Sequence, residues 1–162
     1  MKWILLIFIT LSIPLTGSSS RTHSSPGPSA HYSDDISLDH MDVEILWYVN
    51  RYRESKKLRA LEMNKTESSI ALQHSRNMAS GKTPFGHEGL DARAKQIRKK
   101  IGHINTAGEN VAYGRMSAKE VVEGWLNSPG HRRNIEGDFT LTGIGCAEDK
   151  RGVIYYTQIF TK

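Results

Sequence analysis

Gly152-Val153-Ile154-Tyr155-Tyr156-Thr157-Gln158-Ile159-Phe160 is the stretch whose reading decides the fold. β-Branched and aromatic residues dominate it, and such residues favour strands. Large apolar groups fall on both alternating sets: Val153, Tyr155 and Ile159 on one, Ile154, Tyr156 and Phe160 on the other. A strand apolar on both faces belongs in a sheet that is covered on both sides. Leu141-Thr142-Gly143-Ile144-Gly145-Cys146-Ala147 reads as a second buried strand, joined to the first through the polar turn Glu148-Asp149-Lys150-Arg151.

Working outward, the covering layers are helices. Met41, Ile45, Tyr48 and Tyr52, with Leu46 and Val49 beside them, follow helical spacing. Asp39 is the expected N-cap and Asp42 suits the first turn, where the helix dipole favours negative charge. This helix should end near Ser55-Lys56-Lys57, with Leu58, Leu61 and Met63 covering the core from a connecting segment. A second helix runs to about Ser80, carries Ile70, Ala71, His74 and Met78 inward, and stops at Gly81. Residues 89–101 read as a short basic helix, and residues 105–114 as a glycine-punctuated loop with a strand. Ser117-Ala118-Lys119-Glu120 is a capping box, opening a helix with Val121, Val122, Trp125 and Leu126 on one face. Ser128-Pro129-Gly130 stops it, because the residue before proline is pushed out of helical geometry. Helices followed by a hairpin make an α+β sandwich, a sheet with helices on each face.

The N-terminus reads differently. Lys2, the apolar run from Trp3 to Leu15, and Thr16-Gly17-Ser18 have the order of a signal peptide over residues 1–18. An uncleaved anchor is the alternative, but the run is short and interrupted for a bilayer span. Residues 19–37 are rich in Ser, Pro, Gly and His and read as a flexible linker. The domain proper then spans residues 38–162, with no later transmembrane run, and the mature protein is expected to be secreted. Its one cysteine, Cys146, excludes an internal disulfide and sits where a small apolar core side chain is expected. The formal net charge is +5. Arg93, Lys95, Arg98, Lys99 and Lys100 could dock on an anionic surface, although a solvated helix face is the better account, since a charge run alone is weak evidence. No nucleic-acid motif accompanies them. Asn64-Lys65-Thr66 is a glycosylation acceptor triplet. Asn64 would alternatively cap the second helix, with Glu67 as capping-box partner.

Three ionisable side chains stand beside glycines or proline: His87 in Pro84-Phe85-Gly86-His87, Glu109 in Gly108-Glu109-Asn110-Val111-Ala112-Tyr113-Gly114, and His131 in Ser128-Pro129-Gly130-His131. They are too far apart in the chain for a local metal motif. If they meet, two imidazoles and a carboxylate suit zinc or another divalent cation. His74 is the rival histidine. A lone histidine on an apolar helix face is ordinarily a hydrogen-bonded core group, so it stays outside the site.

Taken in order, Val49-Asn50-Arg51-Tyr52-Arg53, His74-Ser75-Arg76-Asn77-Met78-Ala79, Phe85-Gly86-His87, the segment from Gly108 to Gly114, Trp125-Leu126-Asn127-Ser128-Pro129-Gly130-His131-Arg132-Arg133-Asn134-Ile135, Thr142-Gly143-Ile144-Gly145 and Tyr155-Tyr156-Thr157-Gln158-Ile159-Phe160 resemble the CAP superfamily, the cysteine-rich secretory, antigen 5 and pathogenesis-related proteins that share the SCP domain. The chain is similar to the disulfide-free bacterial-type form. The resemblance implies a three-layer α-β-α sandwich with a central, mainly antiparallel sheet. It also implies a cavity with two histidines and two glutamates. His87, Glu109 and His131 match three of these, while Ser128 stands where the second glutamate belongs. Glu120 and Glu123 cannot replace it: on a helical wheel they point away from the apolar face, and Ser128 falls at its edge. Asn110 and Asn134 are expected to hold backbone beside the cavity. The resemblance favours binding of a lipid, sterol, peptide or extracellular protein ligand at this cavity, with His87, His131 and also Glu109 as the metal-ligand candidates. A metal-dependent hydrolase using Glu109 with His87 and His131 is the alternative, and a purely structural role for these residues is a third. No residue is assigned as catalytic beyond Glu109 as a candidate.

Overall fold

The structure is a computed structural model that describes residues 37–162. The expected signal peptide and all but the last residue of the expected linker lie outside the described residues. The elements run α1 (Met41–Ser55), β1 (Glu62–Met63), α2 (Lys65–Ala79), α3 (Leu90–Ile101), β2 (Ala107–Gly114), α4 (Ala118–Asn127), α5 (Pro129–Ile135), β3 (Leu141–Glu148) and β4 (Ile154–Thr161). The four strands form one sheet in the order β1-β3-β4-β2. β4 pairs antiparallel with both β2 and β3, and the short β1 pairs parallel with β3.

The two alternating sets of β4 supply two cores. Ile154, Tyr156 and Phe160 join Met41, Ile45 and Val49 of α1, Val121, Val122 and Trp125 of α4, and Ile135 of α5. Ile159 joins Ile70 and Ala71 of α2 and Ile97 of α3. Helices therefore cover both faces, and the architecture is the α-β-α sandwich that the apolar strand demanded.

The tightest contact is between α2 and β3. A Cβ on Gly143 would overlap the backbone at Glu67 and Ser68, and one on Gly145 would overlap the backbone of Leu72. Both glycines are there because the helix backbone lies directly on the strand. Ser75 Oγ donates to the Gly145 carbonyl at 2.8 Å and lies 2.8 Å from Thr157 Oγ1, tying α2 to β3 and β4 together.

Several local expectations change. Asp39 does not cap α1: its N–H donates to Ser37 Oγ, and His40 takes the N-cap place with φ 63° and no side-chain cap. A turn over Leu38–Met41, closed by Met41 N–H to the Leu38 carbonyl, starts the helix instead. The connecting segment contains β1, which the spacing of Leu58, Leu61 and Met63 did not disclose. Asn64 caps α2 by accepting from the N–H groups of Thr66 and Glu67. Glu67 does not complete a capping box. It turns inward, fully buried, where it accepts from Thr161 Oγ1 at 2.6 Å. Pro129 does more than end α4: it occupies the first turn of α5, where its missing N–H costs nothing. Cys146 packs against the α1 side, and burial, with Asp42 nearby, pushes its thiol up to about 12, so it is no nucleophile at neutral pH.

Arg53 is buried with its guanidinium on backbone carbonyls. It donates to Arg59 at 2.8 Å, to Ile135 at 2.6 Å and to Gly137 at 2.9 Å. A cation at the C-terminal carbonyls of α5 is favoured by the helix dipole, and it fixes where α5 ends.

Two outcomes follow from this packing. Gly145→Ala, whose methyl group meets helix backbone that cannot retreat, should destabilise the domain by about 3 kcal/mol in urea unfolding. Burial raises the Glu67 carboxyl to about 7, so the folded chain holds a proton that the unfolded chain releases near the ordinary glutamate value. Stability should therefore fall as pH rises from about 4.5 to about 7. Glu67→Gln should flatten that part of a stability-versus-pH profile; an unchanged slope would contradict it.

Candidate functional site

β2 is an edge strand, and its neighbouring residues Glu109 and Asn110 point to opposite faces of the sheet. Glu109 faces α2 and α3, and Asn110 faces α5. The two histidines meet here from the two sides. His87 lies in the loop between α2 and α3, His131 lies on α5, and their ring centroids are 6.3 Å apart.

Glu109 is the fixed point. Its side chain is fully buried, and both oxygens are held by Arg93 of α3, from Nε to Oε2 at 2.7 Å and from Nη2 to Oε1 at 2.8 Å. His87 Nδ1–H donates to Oε1 at 3.0 Å, since a carboxylate can only accept. That bond fixes the tautomer of His87 and leaves Nε2 as its free lone pair. Arg93 also donates to the Glu88 carbonyl at 2.9 Å and so grips the loop that carries His87. Beneath them His74, buried, donates from Nε2 to the Gly86 carbonyl at 2.9 Å and stands 3.9 Å from Glu109 Oε1.

On the other face, Asn134 donates to the Glu109 carbonyl at 3.0 Å and to Asn110 Oδ1 at 2.8 Å. Asn110 donates to the His131 carbonyl at 3.1 Å. Trp125 Nε1 donates to the Val111 carbonyl at 3.3 Å. Side chains of α4 and α5 thus occupy two edge carbonyls of β2, which also keeps this edge from pairing with another chain. Ser128 sits at the α4–α5 junction, three residues before His131, as the N-cap of α5 without a side-chain cap bond. Glu120 closes the capping box on Ser117, and Glu123 pairs with Lys119 at the surface, so neither reaches the site.

The structure brings His87, Glu109 and His131 together, and it adds two residues. Arg93 is not part of a basic face: its side chain is 12 % exposed and its charge is matched by Glu109. Lys95, Arg98, Lys99 and Lys100 remain at the surface. The signal for Arg93 lay in its position three residues after Leu90, early in α3, but a basic run hides its one inward member. His74 is the hydrogen-bonded core group expected of it, yet it also abuts the carboxylate.

Electrostatics follow from burial. Burial lowers the pKa of His131, and His87 nearby lowers it further, so His131 favours the neutral form. Burial likewise lowers His74. The donors left at this end of β2 are then two imidazoles, because Arg93 and His87 hold the buried carboxylate. Among the described residues, no three His, Cys, Asp or Glu side chains stand where they could hold a metal ion.

Removing one member of a buried ion pair leaves the other charge uncompensated. Arg93→Met should therefore cost about 3 kcal/mol in urea unfolding, and adding Glu109→Gln should recover part of it in a double-mutant cycle. In proton NMR the His131 and His74 rings should titrate below the ordinary imidazole value.

The comparisons with known proteins give the family and the fold. The model of the cysteine-rich secretory protein family (CAP) matches residues 46–160. The chain is 32 % identical over 152 residues to YkwD of Bacillus subtilis (strain 168), and the match covers 92 % of this chain and 55 % of that protein. It is 35 % identical over 124 residues to the membrane protein YlbC of the same organism, covering 75 % of this chain and 34 % of that one. The chain thus spans about a third to about half the length of these curated relatives. Its fold is similar to that of an extracellular SCP-domain protein from Bacillus anthracis str. Ames, with a TM-score of 0.62 and 26 % identity, covering 80 % of this chain and 45 % of that one. With the family match over residues 46–160, a single cysteine and an α-β-α sandwich, the chain belongs to the CAP family in its disulfide-free bacterial-type form.

Proposed function

We propose that this is a secreted binding module whose ligand docks at the cleft between His87 and His131, with a divalent cation such as zinc as an accessory. The observation that carries this reading is the state of Glu109. Its side chain is fully buried, and three of the roughly four acceptor positions of its carboxylate are taken by the Arg93 guanidinium and by His87, so it is not presented to a substrate. A general base must reach the proton it removes, and a carboxylate clamped by a guanidinium is a positioning group instead. Here it orients His87, as carboxylates orient histidines at metal sites. No second carboxylate stands at Ser128. These facts favour capture of a ligand over hydrolysis.

The donor chemistry suits a borderline cation through His87 Nε2 and the neutral imidazole of His131, while Glu109 serves behind His87 and not as a ligand. With only two protein donors, water or the docked ligand would complete the coordination. A bound cation would supply a positive centre that draws a carbonyl, hydroxyl or carboxylate into the cleft. Lipid, sterol, peptide and protein ligands all offer such an oxygen. The apolar order of the N-terminus and the extracellular SCP-domain protein of similar fold support secretion. Lys95, Arg98, Lys99 and Lys100 would face an anionic surface from the outer side of α3. With Asn64 committed to the cap of α2, glycosylation there would compete with helix capping.

Isothermal calorimetry with zinc on the mature domain tests the cleft. Micromolar binding is expected, reduced at least tenfold in a His87→Ala/His131→Ala double variant. Wild-type protein that takes up no zinc, or a double variant that binds equally well, would remove the cation from this reading.

A further inference from the structure

Beyond the imidazole cleft, three aromatic rings form a ledge on the same face of the sheet as Glu109. Phe85 and Tyr113 are 47 % and 57 % exposed, unusual for side chains of this size in a chain with two filled cores. They pack edge to face with centroids 4.7 Å apart. Tyr113 also stacks on Tyr155 at 5.8 Å with 21° between the planes, because the two residues are register partners on β2 and β4. Tyr113 and Tyr155 are therefore held by the sheet, and Phe85 packs on Tyr113 from the loop between α2 and α3.

Tyr155 has a second role. It walls an open groove of about 890 Å³ between the C-terminal half of α2 and the β3–β4 turn. Gln73, Arg76, Asn77 and Lys150 line that groove with amide and cationic groups. The ledge and the groove share Tyr155, and the groove's volume is in the range of ligand clefts.

The chemistry of this surface narrows what it would take. The walls are mixed: Met78, Ala147 and the Tyr155 ring are apolar, while a lipid tail or sterol laid there would cover Gln73, Arg76 and Asn77 without pairing their amide and guanidinium groups. A polyphosphate needs unopposed positive charge, and here Glu148 and Asp149 share the groove with Arg76, Lys150 and Arg151, with Arg151 paired to Asp149 at 3.3 Å. A sugar ring has one face of C–H bonds, which stacks on an aromatic ring, and a rim of hydroxyls that pair with amides and guanidinium groups. We propose that Phe85, Tyr113 and Tyr155 are the stacking platform of an oligosaccharide-binding groove, with Gln73, Arg76 and Asn77 as its hydroxyl partners. This site is separate from the imidazole cleft and does not rest on a cation there.

Titration of the isotope-labelled mature protein with chitohexaose and, in parallel, cellohexaose tests it by NMR. With at least one of the two, the expected result is shifts at Tyr113, Tyr155, Gln73 and Asn77. Affinity should fall at least tenfold in Tyr113→Ala and in Phe85→Ala. Both side chains are exposed, so both variants should melt close to the wild type, and two independent variants guard against one that misfolds. The His87→Ala/His131→Ala variant should bind the sugar as the wild type does. Shifts absent with both hexasaccharides at millimolar concentration, or affinity unchanged in both ring variants, would overturn the proposal. Binding lost only in the histidine variant would overturn it too, by assigning the sugar to the cleft.

Discussion

The close approach of α2 to β3 is the constraint on which the rest of the domain depends. Gly143 and Gly145 have no Cβ, so the helix backbone sits on the strand with no intervening layer of side chains. That depth sets the positions of Ser75 and Thr157, which join across the contact, and of Glu67, which is driven into a fully buried place on Thr161. It also sets His74 at the level of the sheet, where it reaches the Gly86 carbonyl and fixes the loop that carries His87. A one-atom change at Gly145 would therefore propagate from packing to the geometry of the cleft, because close-packed interiors transmit displacement and do not absorb it.

Charge is handled in two ways. Arg53 is buried on backbone carbonyls at the end of α5, where partial negative charge is already concentrated. Arg93 is buried on Glu109, and the pair is neutral overall. The first holds the helix that carries His131 and the second holds the loop that carries His87. Each imidazole is thus positioned by a guanidinium that never enters the cleft. Such an arrangement places rigid groups behind both imidazoles.

The site lies on the sheet's edge strand, and this explains its composition. Alternation along β2 sends Glu109 to one helical layer and Asn110 to the other, so one dipeptide anchors both halves. Backbone carbonyls that an edge would leave open are used by Asn134 and Trp125. The same pairing that seats Glu109 opposite Ile159 seats Tyr113 opposite Tyr155. The imidazole cleft and the aromatic ledge are therefore two stations along one strand.

Much of this was legible in the chain. The doubly apolar strand at residues 152–160 required cover on both faces, the helical spacings supplied it, and the Ser117–Glu120 capping box marked the start of α4 to the residue. Local features of this kind are encoded by neighbours within a turn or a pleat, and the family motifs named His87, Glu109 and His131. What the sequence left open needed distances between residues far apart in the chain. Arg93 looked like one more member of a basic run, Glu67 like a capping partner, and Asp39 like a cap. Only the packed structure decided that Arg93 neutralises Glu109, that Glu67 is buried on Thr161, and that the metal-ligand candidate Glu109 stands behind His87. The physical reason is that a charged side chain's role depends on which opposite charge or carbonyl folding brings within about 3 Å of it, and no spacing rule along the chain carries that information.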